Sequence, residues 1–292
     1  MLDLRVMGEE REVQLGEDVV RYREVGSGPT LVFVPGILAN GVLWRDVVAG
    51  LSGRFRCVVP VLPLGGHAVP MGPGTDLSPR GVARLVADFM AALDLRDVTL
   101  VGNDTGGAVC QIVVAEHPGR IGRLVLTNCD AYEAFFPWQL SIFHYGPRFL
   151  GTRFVDALAW VLRARPAQRL LLKLVAKRRM DEATLDAYFA NLTSNPGVRR
   201  DLTRFLQKVS KRSTLEAARR FPDFQGPVLL VWGEDDRFFL ASYARRLRDD
   251  FRDARLLFVS DSRAFVPEDR PEALARHIVD FVRPKGGARA RG

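Results

Sequence analysis

Six residues, Gly102-Asn103-Asp104-Thr105-Gly106-Gly107, place a carboxylate where a strand turns into a helix. The apolar run Val98-Thr99-Leu100-Val101 precedes them, and an apolar helical stretch over 108–116 follows. Small residues around Asp104 let strand and helix approach, and the sharp turn holds the carboxylate out. Such a group can attack carbon and form an ester, and a helix N-terminus favours its anion. The plainer alternative is an N-cap aspartate bonded to the helix amides. Two other carboxylates could join it. Asp236 closes the run Gly233-Glu234-Asp235-Asp236 after an apolar strand, where the plainer role is to cap a loop; Asp130 follows the strand at 121–127. His67, after Leu64-Gly65-Gly66, lies on a loop expected at the carboxyl edge of the sheet, the side where ligands bind. His144, in Phe143-His144-Tyr145, sits in an aromatic segment. These two are the candidates for a base, and an ordinary surface or loop histidine is the alternative for each. His117, before a proline at the end of a helix, and His277, on the last helix, are expected to point away. Four histidines in all do not offer familiar multi-histidine metal spacing, and the sequence implies no metal or organic cofactor.

The elements that must position these groups alternate. Short strands are predicted at 11–16 and 19–25. Thr30-Leu31-Val32-Phe33-Val34 is a continuous apolar run, as suits a strand buried on both faces of a parallel sheet. Pro35-Gly36 ends it, and a helix is predicted over 42–51. Cys57-Val58-Val59-Pro60 is the next strand, followed by a Gly/Pro-rich loop over 62–75. Val82, Leu85, Val86, Phe89 and Met90 repeat at helical spacing. After the strand at 121–127 the rhythm breaks. Residues 131–222 read as helical and basic without clear strands, and strands resume at 227–233 and 256–259 before a closing helix over 271–282. The pattern predicts a mostly parallel sheet with helices on both sides. It divides the chain into a discontinuous core, 1–130 and 223–292, and an inserted helical cap, 131–222. The basic tail over 283–292 is expected to lack fixed structure.

Taken together, Val34-Pro35-Gly36, Leu62-Pro63-Leu64-Gly65-Gly66-His67, the turn at 102–107, Val231-Trp232-Gly233-Glu234-Asp235-Asp236 and Val266-Pro267-Glu268-Asp269-Arg270-Pro271-Glu272 resemble the α/β-hydrolase superfamily over about residues 10–283. The resemblance implies an α/β-hydrolase fold, an eight-stranded, mostly parallel sheet with a cap. An aspartate at the elbow is similar to the branch with haloalkane dehalogenases and epoxide hydrolases. It implies Asp104 as nucleophile, Asp236 as its acid with Asp130 as the alternative, and the backbone N–H groups of Ile37 and Thr105 as the oxyanion hole. The chain departs from that pattern in three places. Where the catalytic histidine belongs, just before Phe265-Val266-Pro267, stands Ala264. Thr105, Ile37 and Leu38 replace the halide donors of dehalogenases. The tyrosines in or beside the cap, Tyr132, Tyr145 and Tyr188, carry no sign of facing inward as epoxide-hydrolase acids do. Without its base an ester on Asp104 loses about 10²–10⁴-fold or more in hydrolysis.

The chain of 292 residues carries a net charge of +8. Residues 131–222 hold 17 Lys/Arg against 7 Asp/Glu, while the rest holds 25 against 27. This excess suits either a solvated helical face or attraction of an anionic substrate, an acidic carrier protein or an anionic surface. No nucleic-acid motif accompanies it, and none of the chain reads as a membrane span. Three cysteines without a CxxC spacing suit reduced thiols in a cytoplasmic protein. Phe135, Phe136, Trp138, Phe143 and Tyr145 suggest a largely apolar small-molecule substrate, or else the packing of cap on core. Three functions remain: a hydrolase-class enzyme using Asp104, a non-hydrolytic isomerase, lyase or cyclase on the same scaffold, and a non-catalytic ligand-binding protein.

Overall fold

A computed structural model describes residues 4–283. Residues 284–292, and with them the expectation of an unstructured basic end, lie outside them. Eight strands, β1 (Glu9–Leu15), β2 (Asp18–Val25), β3 (Thr30–Val34), β4 (Arg56–Pro60), β5 (Val98–Asp104), β6 (Ile121–Cys129), β7 (Val228–Gly233) and β8 (Ala254–Val259), form one sheet in the order β1-β2-β4-β3-β5-β6-β7-β8. β1 pairs antiparallel with β2 and β2 with β4; all other pairs are parallel. This is the mostly parallel sheet that the alternation predicts, with the eight strands that the α/β-hydrolase resemblance implies.

The central strands are buried on both faces, which is why they read as unbroken apolar runs rather than alternating ones. Helices α1 (Arg45–Leu51), α2 (Pro79–Ala92) and α3 (Thr105–Glu116) connect the first half of the sheet. Ser78 starts α2 by accepting the Gly81 N–H, and Val82, Leu85, Val86 and Phe89 bury one stripe of it. α3 is buried on all sides as far as Ala115 and shows no amphipathic pattern, as befits a helix clamped between sheet and neighbouring helices. Between β6 and β7 lie the cap helices α4 (Ser141–Leu150), α5 (Thr152–Val161), α6 (Arg165–Val175), α7 (Glu182–Ser194), α8 (Pro196–Lys208) and α9 (Lys211–Ala218). α10 (Ala241–Asp250), the short α11 (Val266–Asp269) and α12 (Pro271–Val282) complete the chain. No described helix is long and apolar enough to cross a membrane.

Two buried polar joints fasten the cap to the core. Arg45 of α1 makes a two-pronged ion pair with Glu268 of α11 at 2.5 and 2.8 Å, and Tyr188 of α7 donates to the same carboxylate at 2.7 Å. On the other side, Asp201 of α8 accepts the Met71 N–H at 2.7 Å and lies 3.3 Å from His67 Nε2.

Candidate active site

Ile37, Asp104, Asp130, Asp236 and Ala264, and the loop after β4 that carries His67, belong to the carboxyl edge of the sheet, where parallel α/β proteins bind ligands. Ile37 follows β3, Asp104 ends β5, Asp130 follows β6, Asp236 follows β7 and Ala264 follows β8. Asp104 holds φ +56° and ψ −134°, a conformation that costs a non-glycine residue about 1–3 kcal/mol. The surrounding glycines enforce it. A Cβ on Gly36 would lie 2.6 Å from the Asp104 Cβ, Cγ and Oδ2, and one on Gly106 would lie 2.4 Å from the carbonyl oxygens of Val34 and Pro35. Gly36→Ala therefore has no room; it should cost about 1–3 kcal/mol in urea denaturation, or displace the Asp104 carboxylate.

The helix at this turn starts three residues earlier than the sequence pattern predicts, at Thr105 rather than 108. The Thr105 N–H therefore donates to Asp104 Oδ1, at 2.6 Å. Thr105 Oγ1 lies 3.3 Å from that oxygen and 3.0 Å from Asp130 Oδ2. One hydroxyl hydrogen cannot serve two carboxylates. A single proton shared along the row Asp130–Thr105–Asp104 resolves the conflict, with Thr105 the bridge between the two carboxyl groups. Burial raises Asp130 well above the usual carboxylate range, and the charge of Asp104 adds to the effect. Asp130 Oδ1 has no hydrogen-bond partner among the described residues. Burial also pushes Asp104 up to about 7, against the pull of the two Thr105 donors.

Asp236 is held differently. Asn128 Nδ2 donates to its Oδ2 at 2.7 Å, and the N–H groups of Phe238 and Phe239 donate to its two oxygens at 2.9 and 3.3 Å. Burial raises its pKa, while these donors favour the anion. Ala264 is fully buried, and its carbonyl accepts from Asn103 Nδ2 at 2.8 Å. Asn103 thus ties the loop after β8 to the strand that carries Asp104, but the position presents only a methyl group. Asn103 and Asn128 escaped the reading of the sequence as site residues. Asn103 lies inside the six-residue turn motif, which was the one available signal.

Over Asp104 lies a cavity of about 60 Å³ between core and cap, walled by Ile37, Leu38, Phe143, Leu172, Phe189 and Phe265 among others. Among the described residues that line it, Asp104 is the sole titratable side chain. Neither histidine offered as a base lines it. His67 is buried against Asp201, and His144 pairs with Arg148 one turn along α4. The tyrosines are engaged elsewhere too: Tyr132 donates to Asp250, Tyr188 to Glu268, and Tyr145 is exposed. Phe143 is the one aromatic of the 135–145 group that walls the cavity; Phe135 and Phe136 pack in the core, and Trp138 points to solvent. Cys57, Cys110 and Cys129 are free, and burial raises all three thiols, Cys57 to about 12.

The model of the α/β-hydrolase fold family matches residues 29–271. The chain belongs to the α/β-hydrolase fold family. Haloalkane dehalogenase 2 of Mycobacterium bovis is 27% identical to this α/β-hydrolase, over 89% of the chain and 90% of its own length. A cis-3-alkyl-4-alkyloxetan-2-one decarboxylase of Xanthomonas campestris pv. campestris is 29% identical, over 87% and 88%. An α/β-hydrolase fold protein from Burkholderia ambifaria superimposes with a TM-score of 0.79 at 22% identity, covering 96% of this chain and 98% of that one. These relatives make the chain an α/β-hydrolase-like enzyme by family, and the last of them speaks to fold alone.

Proposed function

We propose that this α/β-hydrolase takes a small, largely apolar substrate into the cavity under its cap and turns it over without hydrolysis, with the Asp104 carboxyl moving a proton. The observation that carries this is that Asp104 is the sole titratable side chain among the described residues lining an otherwise apolar cavity. A carboxyl near neutrality is suited to both halves of a proton transfer. As the anion it removes a proton from a substrate atom, and as the acid it returns one. Behind it, across the Thr105 hydroxyl, lies the Asp130 carboxyl, which burial also raises above the usual carboxylate range. The remaining requirement of ester hydrolysis, a base to activate water, falls at Ala264, which has none to offer. An isomerase, lyase or cyclase reaction needs no such water. That a relative is named for a decarboxylation of a dialkyl oxetanone, not for a hydrolysis, agrees with an apolar pocket running non-hydrolytic chemistry. An anionic or carrier-tethered substrate would draw on the positive charge of the cap.

A second reading has its own support. The strained backbone of Asp104 presents the carboxylate as a nucleophile would be presented. In that case the chain forms an ester with an alkyl electrophile and then stalls.

One experiment separates the readings. Medium-chain lactones, enones and epoxides are incubated with the protein in D2O and followed by NMR, with intact mass recorded in parallel for a 1-bromoalkane. The expected result is solvent deuterium in a product, lost in Asp104→Asn, with no adduct mass on the protein. A persistent alkyl adduct on the wild type that Ala264→His releases as the alcohol overturns the proposal in favour of the nucleophile. Retention of the probes without turnover, unchanged in Asp104→Asn, overturns it in favour of a binding protein.

A further inference from the structure

The cap carries an apolar stripe on its outside. Ile142, Tyr145 and Phe149 follow one another at intervals of three and four residues on one face of α4, Trp138 stands in the short turn just before it, and all four are exposed. Trp138 is 80% and Phe149 82% exposed. On α6, Leu170 and Leu174 repeat the pattern one turn apart, and Trp160 stands exposed near the end of α5. α4 and α6 meet at the cavity, which Leu140 and Leu174 also line. The apolar outside of the cap is therefore continuous with the mouth of the site. Large exposed apolar patches on a soluble surface mark contact sites.

The charges around the stripe choose the partner. Arg153, Lys173, Arg179 and Arg237 have no carboxylate within ion-pair distance among the described residues, unlike Arg165, Arg169, Arg178 and Arg199 of the same cap. Lys173 falls between Leu170 and Leu174 on α6, and Arg237 adjoins Phe238 of the cavity wall. Tryptophan, phenylalanine and leucine flanked by arginine and lysine is the composition of a helix that lies in a membrane interface. The same positive charge opposes a second copy of the chain on this face. We infer that the α4–α6 face of the cap docks on an anionic lipid bilayer, with the cavity mouth toward the acyl chains. Trp138, Ile142, Phe149 and Leu170 enter the interface while Arg153, Lys173 and Arg237 meet lipid phosphates. No described helix crosses the bilayer, so the attachment is peripheral. The docking does not depend on what Asp104 does.

The full chain is tested by co-sedimentation with vesicles of phosphatidylcholine alone and of phosphatidylcholine mixed with phosphatidylglycerol. Trp44 and Trp232 are fully buried, so a change in tryptophan emission reports the exposed Trp138 and Trp160. The expected result is partition at least about tenfold stronger to the anionic vesicles, weakened by salt, with blue-shifted emission that brominated lipids quench. Trp138→Ser with Phe149→Ser should lose that binding while its melting temperature and its emission from the buried tryptophans persist. Arg153→Glu with Lys173→Glu should remove only the preference for anionic lipid. Asp104→Asn should bind like wild type, which keeps a failure here distinct from a failure of the chemistry. No binding to either vesicle overturns the inference, as does binding that the Trp138/Phe149 variant retains. A dimer in sedimentation velocity that this variant dissolves, without vesicle binding, assigns the face to self-association instead. So does capture by an acidic carrier protein in preference to vesicles assign it to that partner.

Discussion

Asp104→Asn should abolish turnover and at the same time stabilise the protein above neutral pH. The first effect follows from removing the proton-moving group of the cavity, a loss of about 10²–10⁴-fold or more. The second follows from burial. The carboxyl of Asp104 stands near 3.8 in an unfolded chain and at about 7 in the folded one, raised chiefly by desolvation. A raised folded value means that stability is fully present below about 4 and is lost as pH climbs through about 7. Asparagine carries no charge to bury. The difference in unfolding free energy between variant and wild type should therefore be near zero at pH 4 and grow to a plateau above pH 8. Its ceiling is on the order of 4 kcal/mol. Chemical denaturation of both proteins across that range measures it. The N-cap alternative predicts no such gain: if Asp104 were an ionised cap stabilised by the Thr105 N–H, asparagine would not stabilise the protein as pH rises, and alanine would cost about 1 kcal/mol. Because Asp130 shares a hydroxyl with Asp104, Asp130→Asn belongs in the same titration. It removes the negative charge that ionisation of both would bring together, so the wild-type loss of stability at high pH should shrink.

The parts of this site that follow a local pattern were legible in the sequence. Thr30–Val34 and the run ending at Val101 were legible as strands because they are short, rich in β-branched residues and closed by glycine, as suits a strand buried on both faces. The turn at Asp104 was legible because glycine is needed where Gly36 and Gly106 touch the carboxylate and the next strand. The start of α3 was read too late, since Gly106 and Gly107 look like turn residues when their neighbours in space are unknown. What remained hidden depends on contacts between distant residues. Nothing near His67 announces Asp201, 134 positions away, and yet that carboxylate decides that His67 braces a loop instead of facing the cavity. The aromatics of 135–145 divide by orientation: Phe143 faces the cavity wall, while its helix neighbours Ile142 and Tyr145, and Trp138 in the preceding turn, are exposed. Composition alone does not set that division, because the turn at 138–140 fixes how α4 is rotated about its axis.

Glu268 was visible as part of a motif, but its partners were not, and they make it the residue whose loss should cost the fold most. Its carboxylate is fully buried and meets both prongs of the Arg45 guanidinium and the hydroxyl of Tyr188. Glu268→Ala leaves the Arg45 cation inside the protein with the Val42 carbonyl, 3.0 Å away, the neutral Tyr188 hydroxyl and the partly exposed Asp46, 3.5 Å away, to answer it. Breaking a buried pair on one side costs about 3–5 kcal/mol, which for a chain of this size lowers the melting temperature by on the order of 10 °C. Removing both charges should cost much less, because the desolvation they suffer in the native state disappears with them. Arg45→Met with Glu268→Leu should therefore melt well above Glu268→Ala, and a double-mutant cycle in urea measures the coupling. The pair also reaches the site. Tyr188 precedes Phe189, which walls the cavity over Asp104, so the joint that holds α7 to the core sets the height of the cavity roof. Tyr188→Phe keeps the ring and removes the hydroxyl, leaving the ion pair in place. It should cost only the net worth of one hydrogen bond to a charged group, about 1.5–3 kcal/mol. If the roof is held by this hydroxyl, binding of apolar probes to the cavity should weaken in Tyr188→Phe more than the change in melting temperature accounts for. If packing of the ring alone holds it, probe affinity should stay at the wild-type value.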